Sequence, residues 1–218
     1  MPTAREAGPG EARALSAALA QAFRDEPVTE WMLPQRTRRR ARRERMFQLE
    51  LRTYVFPQGG VVTTADADDG DDGGLVGACV ALPPDQWRMP DQVDGRTAMS
   101  FFRAHGLKLA QAIRMQRVMV EHHPTQPHYY VRWVGVRPGL RGQGLGSALM
   151  RNVLDRCDEE LQPAYLEASS ERQRRAIRAA RLRPPGDADP ARGRAADLAD
   201  AAPAARVSVV RVGSLRPS

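Results

Sequence analysis

The stretch that most restricts this chain is Val134-Gly-Val-Arg-Pro-Gly-Leu-Arg-Gly-Gln-Gly-Leu-Gly-Ser-Ala-Leu149. Tyr129–Val136 alternates and is rich in β-formers, which predicts a strand. Pro138 and Gly139 then turn the chain. From Gly144 to Cys157, residues Leu145, Ala148, Leu149, Val153, Leu154 and Cys157 fall on one stripe and predict a helix. Between the two elements lie Arg141, Gly142, Gln143, Gly144 and Gly146. Glycines leave backbone N–H groups uncovered and admit positive φ. Those amides converge on a helix N-terminus, where unpaired donors and partial positive charge attract phosphate. Arg141 adds a full positive charge. Each charge-assisted contact is worth on the order of 1.5–3 kcal/mol, so several acting together hold a pyrophosphate. Read from its residues, the loop is an anion cradle, with a ligand-free glycine-rich turn as the bland alternative.

The rest of the chain frames that loop. A length of 218 residues suits one domain, or one domain and a tail. No apolar run approaches the roughly 20 residues of a membrane span. Leu15–Ala20 is too short for an export signal, and Glu6 and Glu11 precede it. Two cysteines, Cys79 and Cys157, are too few for a disulfide scaffold or a structural zinc site. The chain therefore reads as cytoplasmic, with reduced thiols, no metal and no membrane partner.

Charge is unevenly spread. The formal net charge is +7, but residues 173–218 hold ten arginines and four aspartates, or +6, leaving +1 for residues 1–172. All twelve aromatic residues also precede position 173. The body is nearly neutral, and the excess charge belongs to a tail. Arginines 174, 175, 178 and 181 share a helical neighbourhood that suggests nucleic-acid binding. No aromatic residue accompanies them for base stacking, which leaves that role little support.

Glu11–Phe23 spaces its apolar residues as an amphipathic helix. Pro27 and Pro34 bracket a connecting segment with Trp31 and Met32. Arg36–Tyr54 predicts a second helix whose arginines Arg38–Arg43 face water. Val61–Thr64 and Leu75–Leu82 predict a hairpin around an acidic loop, Ala65–Gly74, which fits no register of the calcium-loop pattern. Pro83–Gly95 reads as irregular, and Thr97 to about Val118 as helical. Ala164–Glu167 is a short strand, and Ser169 or Ser170 can cap a helix from Glu171. Strand, loop, helix and strand make one βαβ-like unit within an α/β or α+β sheet protein.

Three phosphate loops compete for the 141–147 segment. The Walker pattern fails because Ser147 and Ala148 follow Gly146. The dinucleotide fingerprint fails because Ser147 stands at its third glycine. The pattern [QR]-x-x-G-x-[GA] is matched completely by Arg141-Gly142-Gln143-Gly144-Leu145-Gly146. This loop resembles the coenzyme A loop of the GNAT superfamily of N-acetyltransferases. The resemblance runs from Phe23-Arg-Asp-Glu-Pro27 to about Arg172. His128-Tyr-Tyr-Val131 and Tyr165-Leu-Glu-Ala-Ser169 look like the family's fourth and fifth strands.

The resemblance implies a mixed, mostly antiparallel sheet flanked by helices. It implies that those two strands splay apart to admit the pantetheine arm. Val134 and Val136 would bond it, and Gly135 lies between them. Arg141, Gly142, Gln143, Gly144, Leu145, Gly146 and Ser147 would hold the pyrophosphate. The reaction implied is acetyl transfer from acetyl-CoA to an amine-bearing small molecule or peptide, by a monomer or homodimer. Such chemistry needs a base for the amine, an oxyanion-stabilising amide near Val134–Val136 and an acid for the thiolate. Glu167 is the nominated base, although it could equally pair with an arginine or face solvent; Glu30 and Glu121 are weaker nominees. One of Tyr129 and Tyr130 faces the core and the other the substrate channel. Position 132 is arginine where some members carry a carboxylate.

The family pattern stops after Arg172. Relatives continue with a Leu-Tyr-Glu-Arg-His-Gly-Phe-like run whose tyrosine commonly serves as the acid; Ile177 stands there in this chain. One encoding of residues 173–183, read one base later, gives Asn-Ala-Ala-Leu-Tyr-Glu-Arg-His-Gly-Phe. The expectation is an acetyltransferase domain over 1–172 and a disordered or frame-shifted tail over 173–218. The family's last strands would be missing or altered, and Val207–Val212 would be one strand without a fixed partner. A chain of this kind binds acetyl-CoA but turns over weakly, as a catalytically impaired relative would.

Overall fold

The computed structural model describes residues 3–33, 39–67, 74–88, 94–168 and 208–212. Six strands form one sheet in chain order: β1 (Arg5–Glu6), β2 (Val61–Asp66), β3 (Leu75–Leu82), β4 (Tyr129–Val136), β5 (Ala164–Ala168) and β6 (Ser208–Val212). Every neighbouring pair is antiparallel except β4 with β5. This is the mixed sheet expected, and β2–β3 is the expected hairpin. β3 is buried at every position, which is why its sequence is a continuous apolar run with no alternation.

Two helical layers cover the sheet. On one face α1 (Ala12–Ala22) and α3 (Arg39–Glu50), continued by a π-helical turn over Leu51–Val55, pack Leu15, Leu19, Phe47 and Tyr54 against Val80, Leu82 and Tyr130. On the other face α6 (Leu145–Glu159) sets Leu149, Val153 and Cys157 against Val76, Cys79 and Val131. Each such side chain contributes about 1.5–3 kcal/mol by leaving water. Both cysteines are buried free thiols, and burial pushes each up to about 12.

Two expectations need correction and one gains detail. The segment after Pro27 is a helix, α2 (Pro27–Met32). Its proline sits at the first turn, and the Glu26 carboxylate accepts from the Thr29 N–H at 2.8 Å. The helical stretch expected from Thr97 is present as two helices, α4 (Gly95–His105) and α5 (Leu109–His122). They part at Gly106, whose φ of +58° an L-residue rarely adopts. The arginines of α3 do not all face water: Arg43 is buried, donating to Phe23 O at 3.3 Å, and Arg39 pairs with Glu30 at 2.6 Å. Arg38 lies outside the described residues.

β6 lies antiparallel on β5, with Glu167 opposite Val209, so the outer edge of β5 is paired. The partner that the sequence left open for this strand is β5. The cap at Ser169 or Ser170, the helix from Glu171 and Ile177 lie outside the described residues, as does the acidic stretch 68–73. No helix among the described residues is long and apolar enough to cross a membrane.

Candidate active site

β4 and β5 run together for only three pairs, Tyr129 with Ala164, Tyr130 with Tyr165 and Val131 with Leu166. Past that point β4 continues to Val136 beside β3 alone, and its burial falls from complete at Tyr129–Val131 to partial at Arg132–Val136. The strands fork. On the other side of β4 the ladder decides which amides face the fork. Arg137 N–H donates to Val76 O at 2.9 Å, so Gly77–Val136 is a pair whose own N–H and C=O point away from β3. The same alternation turns Val134 outward and leaves Gly135 bonded to β3. The amides of Val134 and Val136 therefore face the gap.

Gly135 has a separate reason to be glycine. A Cβ there would lie 2.6 Å from the Phe23 ring and 2.9 Å from Ala22 Cβ, because the end of α1 packs directly on the strand. Phe23, Phe47 and Trp133 form an edge-on aromatic cluster over the same spot, with centroids 5.2–5.6 Å apart.

α6 begins at the mouth of the fork. Gly142 and Gly144 take φ of +85° and +77°, which bend the chain into the helix without a Cβ penalty. The first intrahelical bond is Ala148 N–H to Gly144 O, and no side chain caps the helix. The N–H groups of Leu145, Gly146 and Ser147 thus point out of the first turn with the positive end of the macrodipole behind them. A Cβ at either of Gly142 and Gly144 would meet nothing within 4 Å, so the space above the loop is open.

The Arg141 side chain is bonded within the fold. Its guanidinium donates to Ala22 O at 2.6 Å and to Val136 O at 3.1 Å. It ties the C-terminal end of α1 to the end of β4, and its charge sits at the negative end of that helix.

These elements enclose a cleft of about 1450 Å³. Residues 134–136, 141, 142 and 144–147 line it, and so does Glu167. Gln143 is exposed outside that lining. Of the weaker nominees, Glu121 lines the cleft and Glu30 does not, being held by Arg39. Tyr130 lines it, whereas Tyr129 turns to the α6 side and donates to Glu160 at 2.9 Å.

Glu167 stands one residue past the last β4–β5 pair, at the crotch of the fork. Tyr130 and Tyr165 donate to its two oxygens at 3.3 and 3.2 Å. Burial pushes its carboxyl up to about 7, against the lowering pull of Tyr165, Arg132 and Tyr130. A carboxylate poised there can accept a proton near neutrality.

Behind it lies a layer that the sequence did not reveal. Glu50 accepts from Arg132 Nε at 2.7 Å and from Trp133 Nε1 at 3.2 Å, with the Glu50 and Arg132 side chains held away from bulk water. On the other flank His123 stacks on Trp87 at 3.5 Å and meets His128, Nε2 to Nε2, at 2.9 Å. The His128 Nδ1–H donates to Gln126 O, so its Nε2 accepts from His123. Burial, with His128 and two arginines adding to it, holds His123 neutral, down to about 3. No local pattern marks Glu50 or His123, because their partners are distant in sequence or become partners only through the tertiary packing.

An acetyltransferase (GNAT) family model matches residues 18–182. The chain belongs to the GNAT acetyltransferase family. Solved structures share its fold at low identity. A histone acetyltransferase HPA2-related acetyltransferase of Corynebacterium glutamicum is 19% identical, with a TM-score of 0.63 over 100% of this chain and 98% of that one. An agmatine N-acetyltransferase is 19% identical, with a TM-score of 0.58 over 98% and 100%. The polyamine N-acetyltransferase of Drosophila melanogaster is 18% identical, with a TM-score of 0.52 over 84% and 83%.

Proposed function

We propose that this GNAT protein transfers an acetyl group from acetyl-CoA to a primary amine in the cytoplasm. The observation that carries the reading is the fork itself: two strands part at Val131 and Leu166, and the gap runs from Glu167 to the uncapped start of α6. The coenzyme suits these residues. The N–H groups of 142–147 suit its diphosphate, and the outward amides of Val134 and Val136 suit an extended amide-bearing arm. When bound, acetyl-CoA supplies an activated acyl carbon: the amine lone pair forms the C–N bond as C–S breaks, the nitrogen losing a proton and the thiolate gaining one.

Glu167 takes the amine proton. Its desolvated carboxyl is held near neutrality, where a base is half-deprotonated yet still proton-seeking. Tyr130 and Tyr165 fix both of its oxygens and so aim the carboxylate. The outward N–H of Val134 or Val136 stabilises negative charge on the acyl oxygen. The agmatine and polyamine enzymes of like fold act on amines, which supports an amine acceptor. Two buried free thiols support a reducing compartment.

Calorimetry with acetyl-CoA, followed by a thiol-release assay over an amine panel, tests the reading. Micromolar binding with amine-dependent thiol release is expected. Absence of acetyl-CoA binding would overturn it. Binding without release, expected if Ile177 leaves the thiolate without its acid, would identify a catalytically impaired relative instead.

A further inference from the structure

Besides the strand fork and the glycine loop, two further helices wall the cleft. There α4 presents Ala98, Phe101 and His105, and α5 presents Leu109, Ile113 and Val120. Each set recurs at helical spacing, so each lies on one face of its helix. This face of α5 is not what anchors the helix. A second face does that, with Met115, Val118 and Met119 packed on Val28, Trp31 and Met32 of α2. Ile113 and Val120 remain 46% and 38% exposed, which is apolar surface still in water.

The wall that α4 and α5 contribute offers little to a polycation. Asp25 pairs with Arg24 at 3.0 Å, Glu26 caps α2, and Glu50 is held by Arg132. Among the residues of α4 and α5 that line the cleft, Glu121 is the one carboxylate and Arg117 offsets it. His105 is buried, which keeps its ring in the neutral form. A second ammonium at that wall would meet mostly apolar side chains and a single carboxylate already offset by an arginine.

We infer that the acceptor is a primary amine carried on an apolar aryl or alkyl body. The body lies against Phe101, Leu109, Ile113 and Val120, and the nitrogen reaches Glu167. This rests on the acetyl-transfer reading above.

The test compares 2-phenylethylamine and octylamine with spermidine and agmatine, by thiol release and by titration calorimetry of each amine. The apolar amines are expected to lead by at least about tenfold in kcat/KM and in affinity. Ile113→Asp, at a half-exposed position, is expected to weaken 2-phenylethylamine about tenfold while acetyl-CoA affinity stays unchanged. Preference for spermidine or agmatine, binding of none of these amines, or an Ile113→Asp protein that keeps its amine affinity would overturn the inference. Loss of acetyl-CoA binding in the unaltered protein would instead overturn the function on which it rests. A chain that binds acetyl-CoA and favours polyamines would leave that function standing.

Discussion

Glu50 and Arg132, 82 positions apart, meet at 2.7 Å in the interior, one from the last residue of α3 and the other from β4 just past its paired region. The Arg132 guanidinium also lies over the Tyr54 and Trp133 rings, 5.2 and 5.5 Å from their centroids. Removing one member strands the other as an uncompensated buried charge, which costs about 3–5 kcal/mol. Glu50→Ala should therefore lower the chemical denaturation midpoint clearly. Double substitution to apolar residues of similar size should recover much of the loss, and a double variant as unstable as the single one would argue against the pair.

The same arginine bears on Glu167, lowering a carboxyl that burial raises. The proposed base form fills as pH rises through about 7, so kcat/KM should climb over that range and level off above it. Arg132→Met should move the rise to higher pH. Glu167→Gln should lower kcat by roughly 10²–10⁴ and leave acetyl-CoA affinity intact. A folded-state value above the ordinary one means that the protonated form stabilises the fold. That contribution is whole below about 4.5 and is lost as pH rises through about 7. Glu167→Gln should consequently melt above the unaltered protein at pH 8, with the advantage gone by pH 4. A flat melting difference across that range would contradict the burial argument.

Gly144 holds φ at +77° with open space above it. Gly144→Val forces a β-branched residue into that backbone, at about 1–3 kcal/mol, and puts methyl groups where the proposed function places the diphosphate. Acetyl-CoA affinity should fall at least tenfold by calorimetry while the far-ultraviolet spectrum is retained. Unchanged affinity would remove this loop from the binding site.

Arg141 joins α1 to β4 through Ala22 O and Val136 O. Arg141→Ala leaves both carbonyls short of a donor, with a loss of about 1–3 kcal/mol. Equilibrium unfolding should show that drop even without coenzyme. An Arg141→Ala protein that is equally stable and merely binds acetyl-CoA less well would assign the residue to the ligand alone.

The coding sequence over residues 173–183 should spell Asn-Ala-Ala-Leu-Tyr-Glu-Arg-His-Gly-Phe when read one base on. Restoring that frame puts tyrosine in place of Ile177, and thiol release should then rise by about 10²–10⁴. An unrelated neighbouring frame would end the idea.

The strand–glycine–helix unit was legible in the sequence because it is local. Turn chemistry, positive φ and helical periodicity all act within twenty residues, and the strand over Tyr129–Val136 and the helix from Leu145 follow from them. Glu167 was legible only as a nomination, since its spacing from the loop said nothing of what surrounds it. Tertiary packing decided the rest. It drew Arg141 onto the carbonyl of Ala22, 119 positions away, buried Arg43 where a run of arginines suggested water, and put Glu50 beneath Arg132. A charge in a sequence carries no record of its partner, because desolvation and pairing depend on distances that exist only once the chain has closed on itself.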